Sequence, residues 1–127
     1  MMLLVLLLLS GACGADEQAL AAEWRELRQI KGHFSGGSEW VEAIDSWRGR
    51  KHVVLAELGE LLGHPGTPES RVLSLLGEPD RRTAGALVRT PDGTSLLVYQ
   101  WRGLHDFLYF VLRDGRVVRS DWWMAGE

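Results

Sequence analysis

The stretch Leu96–Trp123, LLVYQWRGLHDFLYFVLRDGRVVRSDWW, holds the densest run of β-forming residues in the chain and its clearest turn, Asp114-Gly115. A two-residue type I′ loop needs positive φ at both central positions. Gly adopts this freely and Asp tolerates it, so Asp-Gly between apolar runs marks a hairpin. With that loop, Arg113 should face Arg116, Leu112 should face Val117, Val111 Val118, Tyr109 Ser120, and Phe107 Trp122. One face then carries Phe107, Tyr109, Val111, Val118 and Trp122, and the other mixes Leu108, Phe110 and Leu112 with Arg119 and Asp121. The first face is expected to be the core side, because a register is set by the face that is buried. The strand 107–112 is nevertheless apolar on both faces. Leu108, Phe110 and Leu112 are therefore either covered by the Trp40/Trp47 segment or form an exposed contact patch with Arg119 and Asp121 at its rim, and Trp123 is a further candidate for interaction.

Working outward, strands are expected over 86–90 and 95–101 around Pro91-Asp92-Gly93-Thr94, and then over 106–113 and 116–123. Upstream, Gly66–Asp80, GTPESRVLSLLGEPD, is the best-punctuated helix, expected over 67–76. Thr67 can cap it, Pro68 suits the first helical position, Glu69 favours the positive dipole end, and Gly77 can end it. Val72, Leu73, Leu75 and Leu76 make its buried side. A second helix is expected over 51–62 on Val54, Leu55, Leu58, Leu61 and Leu62. A third is expected over 16–31, on the stripe Leu20, Trp24, Leu27 and Ile30. Between them Gly32–Gly49, GHFSGGSEWVEAIDSWRG, is the least regular part. Trp40, Ile44 and Trp47 fit a short helix capped by Ser38, with the two indoles at the core edge and available for interaction. The sum is an α+β fold, with two or three N-terminal helices packed on a C-terminal antiparallel meander of three to four strands, as one domain over 16–127.

Length and composition agree with a single domain: 127 residues, 46% hydrophobic. A net charge of −3 gives no pull toward nucleic acid. Six Trp is a high number for such a chain, and Trp serves cores and interfaces where a large apolar body and one N–H donor are both wanted. Met1–Ser10, MMLLVLLLLS, is too short to span a membrane, which takes about 20 residues, and fits the apolar region of an export signal over 1–15. The single cysteine, Cys13, lies among small residues directly after it, so no internal disulfide is possible. Cleavage after Ala15 would free the chain. Cleavage before Cys13 would leave an N-terminal Cys for lipid attachment, and Ser10-Gly11-Ala12-Cys13 resembles a bacterial lipoprotein lipobox with Ser10 in place of an aliphatic residue.

Signals for chemistry are few. His33, His52, His64 and His105 share no helix face at ligand spacing with one another or with a Cys, so no metal and no cofactor are expected. Arg48–Lys51, RGRK, is either a small anion or lipid-headgroup site through Arg48 and Arg50, or a solvated helix start. His105-Asp106 beside Arg102 is the most suggestive polar set, because a carboxylate can hold an imidazole tautomer for acid–base work; the plainer alternative is a turn finished by backbone bonds. No Gly-x-Ser-x-Gly elbow is present and the cysteine lies in the export region, so no catalytic residue is expected.

GTPESRVLSLLGEPD, then VYQW, then FLYFVLRDGRVV together resemble the SmpA/OmlA (BamE-like) family of small lipoproteins. The matching positions are Gly66-Thr67, Val72, Leu76-Gly77-Glu78-Pro79, Tyr99, Tyr109-Phe110 and Asp114–Val117. The resemblance covers about half the chain and leaves Lys31–Lys51 without a counterpart. It implies a helix pair on an antiparallel sheet and an exported lipoprotein at the outer membrane facing the periplasm. Such a protein would be non-enzymatic and would contact another envelope protein, in outer-membrane assembly or maintenance. The alternatives are a soluble secreted chain, a small ligand-binding domain or hydrolase using the Arg102–Asp106 turn and the Gly32–Gly49 loop, and an inhibitor module of β-lactamase-inhibitor-like architecture.

Overall fold

The computed structural model describes residues 16–103 and 105–125; residues 1–15, with Cys13 and the expected export signal, and residues 104, 126 and 127 lie outside these. Helix α1 covers 16–27. It is followed by α2 (Glu42–Asp45), α3 (Arg50–Leu62) and α4 (Glu69–Leu76), and then by β1 (Ser95–Arg102), β2 (Asp106–Arg113) and β3 (Arg116–Met124). The strands form one antiparallel meander, β1-β2-β3. The class is α+β, helices first and sheet last.

The Asp-Gly loop closes as expected, with φ of 52° at Asp114 and 74° at Gly115, and pairs Arg113 with Arg116 and Leu112 with Val117. One step further the register slips. Val111 meets Arg119 rather than Val118, Tyr109 meets Asp121, and Phe107 meets Trp123. A bulge sets two residues against one, and beyond it every β3 side chain changes face. The bulge lies where the chain entering α4 takes the outer edge of β3. There the Gly66 N–H donates to the Val117 carbonyl (2.8 Å) and the Val117 N–H to the Thr67 carbonyl (2.8 Å).

The expected core side is thereby corrected. Leu108, Phe110 and Leu112 face the helices, in one cluster with Trp24, Leu55, Leu58, Leu62 and Leu76, and Trp122 packs on this side too. Phe110 is 0% exposed and Leu108 2%, so neither belongs to a contact surface. Phe107, Tyr109 and Val111 form a second, smaller cluster with Leu96, Val98 and Ala84, flanked by Val88 and Trp123. Both faces of β2 are closed, one by helices and one by the 81–90 link.

That link is not the expected strand over 86–90. Gly85–Leu87 is a 3₁₀ turn, and the edge of β1 that a strand would need is taken by residues 80 and 81. The Val98 N–H donates to the Arg81 carbonyl (2.8 Å), the Asp80 N–H to the Val98 carbonyl (2.8 Å), and the Gln100 N–H to the Asp80 carboxylate (2.8 Å). An edge whose donors and acceptors are already matched has none left for another strand.

Two helix ends also differ from expectation. α1 stops at residue 27 rather than 31, because the Gln29 and Ile30 N–H groups bond three residues back (3.2 Å each), leaving Ile30 45% exposed. The last turns of α1 instead serve α4: Trp24 Nε1 (2.9 Å) and Arg28 Nη1 (2.8 Å) both donate to the Leu76 carbonyl, and Arg28 Nη2 to that of Glu78 (2.9 Å). The Leu76 carbonyl is one that the helix terminus leaves unpaired, and a cation there also suits the dipole. At the other end of α4, Pro68 holds the cap position, and the Thr67 hydroxyl turns back to the His64 carbonyl (2.8 Å). α3 lies close over the sheet at Gly59, where a Cβ would stand 2.9 Å from Leu108 Cδ2.

Candidate functional site

Two indoles project from the segment before α3: Trp40 is 52% exposed and Trp47 59%. The short helix between them begins at Glu42 rather than at Ser38. Val41 holds the cap position with no side-chain cap bond, and the buried Asp45, the last residue of the helix, ties down the segment before it. Its Oδ2 accepts the N–H groups of Val41 (2.7 Å) and His33 (3.0 Å). The other carboxylate oxygen has no hydrogen bond among the described residues and lies against Gly32. From the sheet, Trp101 Nε1 donates to the Ile44 carbonyl (2.7 Å) and Arg102 Nη1 to that of Asp45 (3.0 Å). The end of β1 therefore fastens the C-terminus of α2, and the exposed indoles are carried by anchored backbone.

A run of stacked groups joins them. The Arg102 guanidinium lies 4.1 Å from the Trp101 ring centre and 4.9 Å from that of Phe34. Its Nε and Nη2 meet Asp106 Oδ2 at 2.7 and 2.6 Å, while Asp106 Oδ1 accepts the Ala125 N–H (3.1 Å). Phe34 continues to Trp40 (5.8 Å), His33 (5.3 Å) and His105 (4.9 Å). On the other side of Trp101 lies His52 (4.5 Å), which stacks on Trp47 (4.3 Å) and touches Trp122 (5.3 Å).

His52 also supports the turn that presents Trp47. Gly49 N–H donates to the Ser46 carbonyl (2.8 Å), Arg48 sits at φ 62°, and the Arg48 N–H donates to His52 Nδ1 (3.3 Å). Positive φ is uncommon outside glycine and persists where surrounding contacts hold it. The first turn of α3 has no acidic residue and carries Arg50, Lys51 and His52 against the positive end of the dipole. Burial, and then Arg102 and Arg48, hold the His52 imidazole below its usual range, with Asp106 acting the other way. Burial likewise lowers Lys51, whose ammonium lies 5.8 Å from the Trp24 ring centre.

The expected site residues thus separate. Trp40 and Trp47 are exposed; Arg102, Asp106 and His105 adjoin them through Phe34 and Trp101; and Arg48 adjoins them through His52. Arg50 turns away to Glu23 (Nη2 to Oε1, 2.7 Å), on a groove of about 440 Å³ with Asp16, Leu20 and Glu57. Trp123 stacks on Phe107 (5.4 Å) in the second cluster, on the face of the sheet away from the helices. A cleft of about 250 Å³ between α3 and β3 is lined by Ala56, Gly59, Glu60, Leu108, Ser120, Asp121 and Trp122. Neither cavity takes in Arg48, His105 or Asp106. The joining residues Phe34, His52, Trp101 and Trp122 were not among the candidates. Trp101 was accessible to the period of two, since it shares the helix-facing side with Tyr99 and Leu97. Phe34 meets the others only through loop closure, which leaves no periodic signal, whereas His52 lies on the buried face of α3 three residues before Leu55 and was open to the helical period.

Among the described residues, no group of three His, Cys, Asp or Glu is placed to hold a metal ion, and no helix is long and apolar enough to cross a membrane. Comparison of the chain with protein-family models, with curated proteins and with solved structures finds no match in any of the three.

Proposed function

We propose that this chain is a non-enzymatic exported domain, tethered to an envelope membrane through a lipid on Cys13, and that it contacts another envelope protein with its Trp40–Trp47 surface. One observation carries the contact: two indoles more than half exposed on backbone fastened to the sheet. Trp dominates the energetics of protein interfaces, and an anchor held in place beforehand loses little freedom on binding. A binding role suits the polar set as well, because both Asp106 oxygens are already engaged and the Arg102 guanidinium is stacked between rings. The tether rests on the apolar leader and the placement of Cys13. Outer-membrane assembly or maintenance is the setting that the SmpA/OmlA resemblance implies, with no role for nucleic acid.

Crosslinking in envelope extracts tests the contact. The double variant Trp40→Ala/Trp47→Ala should lose a crosslinked partner that the wild type captures, and equal capture by both rejects the surface. Fatty-acid labelling tests the tether: Cys13→Ser should lose both label and membrane fractionation, and unchanged fractionation rejects it. The left-handed Arg48 favours a second reading, an inhibitor module whose Trp47–Arg48 turn enters a partner's cleft. In that case Trp47→Ala alone would abolish capture, while Trp40→Ala would spare it.

A further inference from the structure

Resting on the surface proposed above, we infer that His52 is a proton-operated latch for it. Neutral His52 holds the Trp47–Arg48 turn closed by accepting the Arg48 amide, and protonation opens the turn and frees Trp47 from the ring stack. The bond defines the chemistry. An imidazole nitrogen that accepts a hydrogen bond carries no proton, so neutral His52 bears its proton on Nε2. Protonation puts an N–H on Nδ1, facing the Arg48 N–H, and the hydrogen bond becomes a contact between two donors. Among the described residues, the Gly49-to-Ser46 bond is then what remains across the turn, while Arg48 stays in a conformation that needs support.

The charges around the ring decide the direction. Arg48 faces it from the turn, Arg102 from β1 and Asp106 from β2. Arg50 and Lys51 share its helical turn, with Arg50 paired to Glu23 of α1. β3 brings the uncharged Trp122 ring. Asp106 favours the imidazolium, but its carboxylate is already bound by Arg102 at 2.6 Å. The Trp47 and Trp101 faces favour a cation as well. Against them stand the burial of the ring, two arginines, the helix N-terminus and the lost acceptor. Their balance leaves the ring neutral and the turn closed at neutral pH, with opening in mild acid.

An NMR titration of the isotope-labelled full chain, from neutral pH into mild acid, tests this without any partner. The His52 ring nitrogens, the Arg48 amide and the Trp47 indole N–H should shift together at one midpoint, below that of a free histidine. His52→Asn places a non-titrating oxygen where Nδ1 stands, so it should keep the neutral-pH Arg48 shift and abolish the transition. His52→Ala should show the acid-form shifts already at neutral pH. An Arg48 amide that ignores His52 titration, or a transition that survives in His52→Asn, overturns the latch. If His52→Ala fails to fold, His52→Asn decides alone. The surface itself fails by a different result, equal crosslinking of the double Trp variant and wild type, so the two failures are distinguishable.

Discussion

Trp24 and Trp47 are the same residue put to opposite uses. Trp24 is 0% exposed, and its N–H closes the C-terminus of α4 through the Leu76 carbonyl. Trp47 is 59% exposed, its N–H has no hydrogen bond among the described residues, and one ring face lies on His52. The first is committed to the fold on every side. The second is committed on one side only, and that difference separates core from surface better than residue type does. The hairpin teaches the same lesson in reverse: Leu108 and Phe110, candidates for a contact patch, are core, while the loop thought to lie at the core edge carries the exposed rings.

The largest expected effect lies on the committed side. Trp24→Ala or Phe110→Ala should cost about 3–5 kcal/mol, the transfer and cavity terms of a buried aromatic, measured as a fall in denaturation midpoint at unchanged slope. A loss under about 1 kcal/mol would show that the helix-facing cluster repacks freely and would break the contrast. Next comes the link between the regions. Arg102→Met leaves the buried Asp106 carboxylate without its cation, and about 3 kcal/mol of stability should go with it. The double variant Arg102→Met/Asp106→Leu should recover part of that loss.

Asp45→Ala should be milder, about 1–3 kcal/mol, because it strands the Val41 and His33 N–H groups. Hydrogen exchange at those two amides should quicken while that of β2 holds, which would locate the effect in the loop. The pH response is smaller again, and its sign follows from the lowered His52 value. The unfolded chain takes up this proton first as pH falls below about 6.5. The stability His52 contributes is therefore fully present above that pH and is lost as pH falls toward the folded-state value. Denaturation across this window should show a slope that His52→Asn reduces. The smallest effect belongs to Trp47→Ala, within about 0.5 kcal/mol of wild type. If Trp47→Ala destabilises as much as Trp24→Ala, the exposed ring is a structural element and the contrast fails.

Sequence reasoning reached furthest where one signal repeated locally. The Asp-Gly loop, the apolar stripes of α1, α3 and α4, and the order of helices before strands could all be read from spacing, because each depends on neighbours three or four residues away. Where two distant segments competed for the same backbone groups, spacing was silent. Residues 80 and 81 took the edge of β1 and left 86–90 without a partner, and Gly66 and Thr67 took the edge of β3 beside the bulge. One inserted residue then turned the far half of β3 over, which no alternation count around Asp114-Gly115 contains. The candidate site divided in the same way: Trp40 and Trp47 were visible as residues, and Trp101 and His52 through the strand and helix periods, while their meeting with Phe34 was not.

What the sequence by itself determined is the helices α1, α3 and α4, the three strands and their order, since helix and turn preferences act within a few residues. The tertiary structure alone decided which face of the hairpin meets the helices, which Trp is core and which is open, and that His52 comes to rest between Trp47 and Trp101 with Nδ1 on the Arg48 amide. Those outcomes depend on matching donors, acceptors and apolar faces across segments far apart in the chain, and such matching is settled only when the whole chain closes on itself.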